Sequence, residues 1–176
     1  TGGRLWVVGG DPGLFEYFLP EKWRKTPRTK LSSSHETYDT ITKDSIHLVW
    51  RVSNVGKRPE IHPAAENGEA ILAHGSNSPF EEVSLSVELT KSGIETTYPR
   101  AIYMTVRKSE ISTDLVDSNR YESHEFLNTP DRHPLLGKHH DYIIIWGYWN
   151  GPDELLAAKD EEIYKGVNAS AALKEG

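Results

Sequence analysis

The sequence predicts an α+β fold: a mainly antiparallel sheet of about five strands, a helix over residues 78–92 and helices toward the C-terminus. Three observations carry that expectation. The run Tyr142-Ile143-Ile144-Ile145-Trp146 is apolar without alternation, as in a strand buried on both faces. Residues 46–53 alternate, with Ile46, Leu48, Trp50 and Val52 on one face and His47, Val49, Arg51 and Ser53 on the other. Ser78-Pro79-Phe80-Glu81 is a helix start: a capping serine, a proline at the first helical position and a glutamate that reaches back.

In chain order, residues 4–8 read as a first strand, stopped by the turn residues Gly9-Gly10-Asp11-Pro12-Gly13. Residues 14–19 form a short apolar-aromatic turn or helix closed by Pro20. The basic run Lys22, Arg24, Lys25, Arg28 and Lys30, interrupted by Trp23 and Pro27, has the composition of an exposed loop, which Ser32-Ser33-Ser34 extends. Residues 37–41 are a strand that Thr42-Lys43-Asp44-Ser45 turns into the alternating strand 46–53. Residues 56–68 are a loop punctuated by Pro and Gly, and the short apolar stretch 70–73 reads as a strand.

Residues 78–92 obey two patterns at once. Val83, Leu85, Val87 and Leu89 alternate with Ser84, Ser86 and Glu88, as in a half-buried strand. Cap, proline and the closing Gly93 favour a helix instead. Residues 96–106 are rich in Thr, Tyr, Ile and Val, and Pro99 limits them to an edge or a strand start. Residues 118–127 suit a short helix within a polar stretch. Residues 141–149 form the central strand, broken by Asn150-Gly151-Pro152, after which a helix opens with Asp153 and Glu154 at its positive end.

Composition narrows the function. A length of 176 residues fits one domain, 1–176, with a sizeable core, and Thr1-Gly2-Gly3 running straight into a strand suggests a fragment of a longer protein. The absence of Cys excludes disulfides, cysteine nucleophiles and zinc-thiolate sites, and fits a cytoplasmic setting. A net charge of −6 argues against a nucleic-acid partner. No window reaches the roughly 18 apolar residues of a membrane span.

No stretch carries a complete catalytic motif. Gly9-Gly10-Asp11-Pro12-Gly13 follows a strand but has neither the dinucleotide nor the P-loop spacing, and Pro12 lacks an N–H for phosphate. His133, His139, His140 and Asp141 cluster, yet adjacent His139 and His140 would point to opposite sides of a strand, so no metal site is expected. The acid pairs Glu81-Glu82, Asp153-Glu154 and Glu161-Glu162 suit helix first turns or solvated faces better than a hydrolytic pair. The tract ending in Trp146-Gly147-Tyr148-Trp149 sets flat rings around a glycine at the end of a buried strand, which suits an adenine, a sugar ring or a packed corner.

Taken with the helix at 78–92, this order of elements resembles the amino-terminal lobe of protein-kinase-like phosphotransferases, in particular the bacterial small-molecule and lipopolysaccharide kinases. The resemblance covers more than half of the chain and concerns order and lengths. It implies that residues 68–74 correspond to the strand bearing the nucleotide-gripping lysine, with His74 near the position where that lysine is expected. It implies that Glu81 or Glu82 is the helix glutamate that pairs with the lysine, and that Trp146, Gly147 and Tyr148 lead into the hinge that holds adenine. ATP and Mg²⁺ are the implied ligands. His139-His140-Asp141 has the first letters of the catalytic loop, but Trp146 occupies its Asn position, and Asp-Phe-Gly does not occur. The implied function is therefore nucleotide binding without catalysis by this chain alone, and no catalytic residue is assigned. The alternative from the residues themselves is a non-enzymatic ligand- or protein-binding module that uses the aromatic corner 142–152.

Overall fold

The computed structural model describes residues 3–9, 12–94, 96–107, 119–124, 126–137 and 139–147. Among the described residues six strands form one antiparallel sheet: β1 (Arg4–Val7), β2 (Arg28–Lys30), β3 (Thr37–Ile41), β4 (His47–Val52), β5 (Pro99–Met104) and β6 (Tyr142–Gly147). Their spatial order is β1-β5-β6-β4-β3-β2. The α-helices are α1 (Leu14–Tyr17), α2 (Pro20–Trp23), α3 (Gly68–His74) and α4 (Pro79–Lys91), and a 3-10 segment spans Asn119–His124. The expected α+β class is thus observed, with six strands in place of about five. The helices expected after residue 152 and the hinge residue Tyr148 lie outside the described residues. No helix among the described residues is long and apolar enough to cross a membrane.

The uninterrupted apolar run becomes β6, between β5 and β4, and Tyr142 through Ile145 are all buried. Its alternate side chains feed two cores. On one face Ile143 and Ile145 join Leu48, Trp50, Ala101 and Tyr103 under Phe18 and Trp23. On the other, Tyr142 meets Ile102 and Met104, and Phe80 and Val83 of α4 pack over them with Trp6. The Phe80 ring stands edge-on to Trp6, with centroids 5.2 Å apart, so α4 is anchored across the β1–β5–β6 half of the sheet.

Pro99 opens β5, in keeping with its lack of an N–H, although β5 itself is interior, between β1 and β6. The pairing slips between Pro99 and Ala101, which absorbs the missing donor at the strand start. The turn 42–45 joins β3 and β4 in register from Ile41↔His47 to Thr37↔Arg51.

Residues 78–92 resolve as a helix because local capping decides the competition. The Ser78 Oγ accepts the Glu81 N–H at 3.1 Å, while Glu81 Oε2 accepts the Ser78 N–H at 2.7 Å. At the other end Gly93 has φ +80°, its N–H reaches the Thr90 carbonyl at 3.0 Å, and the Ile94 N–H reaches Leu89 at 3.0 Å. The apparent alternation was incidental: Leu85 is exposed, while Pro79, Val83 and the buried Ser86 follow helical spacing toward the sheet.

Two expectations are corrected. Residues 68–74 form α3, not a strand. Glu69, Ala70, Leu72 and Ala73 are helix-favouring, and Gly75, at φ +79°, ends the helix as a β-carbon-bearing residue could not do without strain. A short apolar run carries no period long enough to separate the two states. Nor is the basic run an exposed loop. Pro20 opens α2 rather than closing the preceding turn, Trp23 is fully buried, and Arg28–Lys30 pairs with β3 as an edge strand.

Ser78→Ala is expected to destabilise the fold by about 2 kcal/mol, at the upper end for a lost cap. The side chain is fully buried, and its Oγ also lies 2.8 Å from His124 Nε2, which the substitution leaves without that partner. The urea midpoint should fall with an unchanged slope; a fall of only a few tenths of a kcal/mol would mean that the cap does not hold α4 in place.

Candidate functional site

Strand alternation and helix capping together build a cleft. Leu48 and Trp50 of β4 enter the first core, so Val49 and Arg51 face the opposite side, where α4 lies. Arg51 sits across from Thr37 on β3 and Ile144 on β6, and Val49 sits across from Trp146. The capping box sets the start of α4 and places Glu82 in its first turn, above Arg51. The Arg51 guanidinium donates through Nη2 to Glu82 Oε2. Around this ion pair lies a cleft of about 650 Å³, walled by Leu31, Thr37, Val49, Thr97, Trp146 and Gly147.

The electrostatics are those of a partly desolvated pair. Burial raises the Glu82 carboxyl above its ordinary value; the Arg51 charge opposes that shift and the neighbouring Glu81 charge adds to it. The Arg51 side chain is 29% exposed and that of Glu82 18%. The Arg51 Nε is buried with no hydrogen-bond partner among the described residues. The guanidinium therefore keeps donor capacity beyond its bond to Glu82.

The sequence-derived residues divide between two places. Glu82, Trp146 and Gly147 line the cleft together. Glu81 and His74 do not join them. Glu81 closes the capping box and takes a bidentate ion pair from Arg120, Nη1 to Oε1 at 2.8 Å and Nη2 to Oε2 at 3.1 Å. Burial alone would raise the Glu81 carboxyl, but Arg120 and the Ser78 N–H hold it below its ordinary value. The His74 Nε2 lies 3.0 Å from Asn77 Oδ1 and 2.9 Å from Arg120 Nη2, so His74 belongs to this second polar cluster. The sequence pattern placed Arg51 on the correct face of its strand; only the fold shows that it meets a helix glutamate 31 positions away.

The histidine-rich stretch is dispersed. His140 Nδ1 lies 2.7 Å from the Thr105 carbonyl, His133 is exposed beside Asp131, and His139 is exposed. Among the described residues no three His, Asp or Glu side chains are grouped to hold a metal ion. Comparison of the chain with protein-family models, curated proteins and solved structures gives no match in any of the three.

Proposed function

We propose that this chain is the nucleotide-binding lobe, or a remnant of one, of a protein-kinase-like phosphotransferase, holding ATP in the cleft between β3, β4, β6 and α4 and not catalysing transfer alone. The observation that carries the proposal is the ion pair between a strand cation, Arg51, and a helix glutamate, Glu82, on the cleft wall. In protein kinases a strand lysine pairs with a helix glutamate and grips the nucleotide phosphates. Here the strand is β4 and the cation is arginine, whose planar fork is suited to phosphate oxygens. Val49 and Trp146 supply apolar and aromatic surface for a flat base at the end of β6. The departure from lysine, with the missing catalytic-loop and Asp-Phe-Gly residues, supports binding over catalysis. Mg²⁺ enters only with the nucleotide, and a cytoplasmic setting, where ATP is abundant, belongs to the same proposal.

A thermal-shift titration with ATP, with and without Mg²⁺, tests it. A saturable rise in Tm is expected, because a ligand that binds only the native state stabilises it in proportion to RT ln(1 + [L]/Kd). Glu82→Ala and Trp146→Ala should each weaken the ATP effect while leaving the fold intact. No shift at millimolar ATP would favour a non-enzymatic binding module instead. A shift that survives both substitutions would place the nucleotide elsewhere.

A further inference from the structure

We propose that a second groove, lined by Arg120 and sharing no lining residue with the cleft, is a binding site for the phosphate group of a small phosphomonoester. The groove has a volume of about 230 Å³ and lies between the loop 56–59, the C-terminal end of α3 and the 3-10 segment. Four basic side chains line it, Lys57, Arg58, His74 and Arg120, and among the described residues no acidic one does.

Among the described residues neither Lys57 nor Arg58 has an ion pair or a side-chain hydrogen bond. Elsewhere Lys22 pairs with Asp44, Lys30 with Glu36 and Arg4 with Asp131. Lys57 and Arg58 therefore stand side by side at the groove with no compensating acid among the described residues. Arg120 is held in place by Glu81 and Asn77, and its Nε is buried without a partner among the described residues. The Glu81 carboxylate already takes that fork, so the cations open to an entering dianion are Lys57 and Arg58, with Arg120 adding its charge to the groove wall.

The walls are fixed before any ligand arrives. The Tyr121 hydroxyl accepts the Gly56 N–H at 2.8 Å and donates to the Ser76 carbonyl at 2.7 Å, tying the 3-10 segment to both sides of the groove. The Ser76 Oγ donates to the Lys57 carbonyl at 2.8 Å, which closes the third side. A rigid groove lowers the ordering cost of binding. Its volume lies below the range of about 300–1,000 Å³ typical of whole-ligand pockets, so it suits one phosphate group with a small substituent rather than a nucleotide.

The test is calorimetric and thermal-shift titration of the full chain with inorganic phosphate and with glycerol phosphate, at constant ionic strength set by chloride, with acetate as the carboxylate comparison. Saturable binding of both phosphates is expected, with acetate weaker. Affinity should drop at least about tenfold, or 1.4 kcal/mol, in the Lys57→Glu/Arg58→Glu double variant. Neither side chain makes an ion pair or hydrogen bond among the described residues, so that variant should melt as the parent does; Arg58 is exposed, and Arg58→Glu alone serves if it does not. Binding should persist in Arg51→Ala, which separates this groove from the ATP cleft. Absence of saturable binding, equal binding of acetate, retention in the charge-reversed variants, or loss in Arg51→Ala would each overturn the proposal.

Discussion

Trp23→Ala is expected to destabilise the protein by about 3–5 kcal/mol, the range for truncating a large aromatic side chain in a packed core. Trp23 is fully buried. Its ring sits 5.5 Å from Trp50 and 6.1 Å, edge-on, from Tyr103, so it joins α2 to both β4 and β5. Its indole N–H donates to the Phe18 carbonyl at 2.9 Å inside the same core. Alanine would leave a cavity against the sheet and an unpaired buried carbonyl, and the two effects add. Trp23→Phe keeps most of the apolar area and loses the hydrogen bond, so it should fall between the parent and the alanine variant. Urea unfolding monitored by the remaining tryptophans measures both. A loss below about 1 kcal/mol for alanine would be the value of a surface side chain, not of a core one.

That residue also shows why the basic run carries no local sign of its structure. Between Lys22 and Lys30 composition is dominated by charge, and a single Trp gives no periodicity. Its burial is decided by strands far along the chain, Trp50 and Tyr103, and no local pattern encodes them. The edge strand β2 is similarly hidden, because Arg28, Thr29 and Lys30 are exposed and gain strand form only by pairing with β3. Elements with strong local signals were legible: the apolar run of β6, the alternation of β4 and the capped start of α4 all stand where the sequence placed them. The short stretch 70–73 had no such signal, and helix-favouring residues with a glycine stop decided it.

The candidate site was half legible for the same reason. Capping fixed Glu82 on α4, and the end of the apolar run fixed Trp146 and Gly147. The resemblance sets their cationic partner near His74, in the residues that immediately precede the helix. The cation that reaches Glu82 stands on β4, one strand earlier, and the pairing of β4 with β6 brings it to the same cleft. Glu81, one residue from Glu82, points elsewhere because adjacent helical positions are about 100° apart and Arg120 waits on the other side.

Removing one partner of the Arg51–Glu82 pair should be more harmful than removing both. Arg51→Ala is expected to destabilise by about 2 kcal/mol, below the range for fully buried pairs because both side chains retain some exposure. Much of that loss is the penalty of leaving the Glu82 carboxylate partly buried without its cation. An Arg51→Met/Glu82→Leu double variant should regain most of the stability, since apolar replacements need no partner, and should still fail to bind ATP. The pH dependence identifies the group responsible. The folded-state value for Glu82 is raised above the ordinary 4.5, so its contribution is fully present below that value and is lost as pH rises through the folded value. Arg51→Ala removes the one opposing charge and raises the folded value further. The deficit of that variant should therefore be small at about pH 4, where the carboxyl is largely protonated, and should grow toward about pH 7. Glu81 behaves in the opposite sense: its lowered value gives stability that is present above 4.5 and lost on acidification, and Arg51→Ala leaves its Arg120 partner in place. Urea midpoints of parent and variant across this range separate the two carboxyls. A deficit independent of pH would mean that Arg51 acts through packing of its side chain and not through the charge on Glu82.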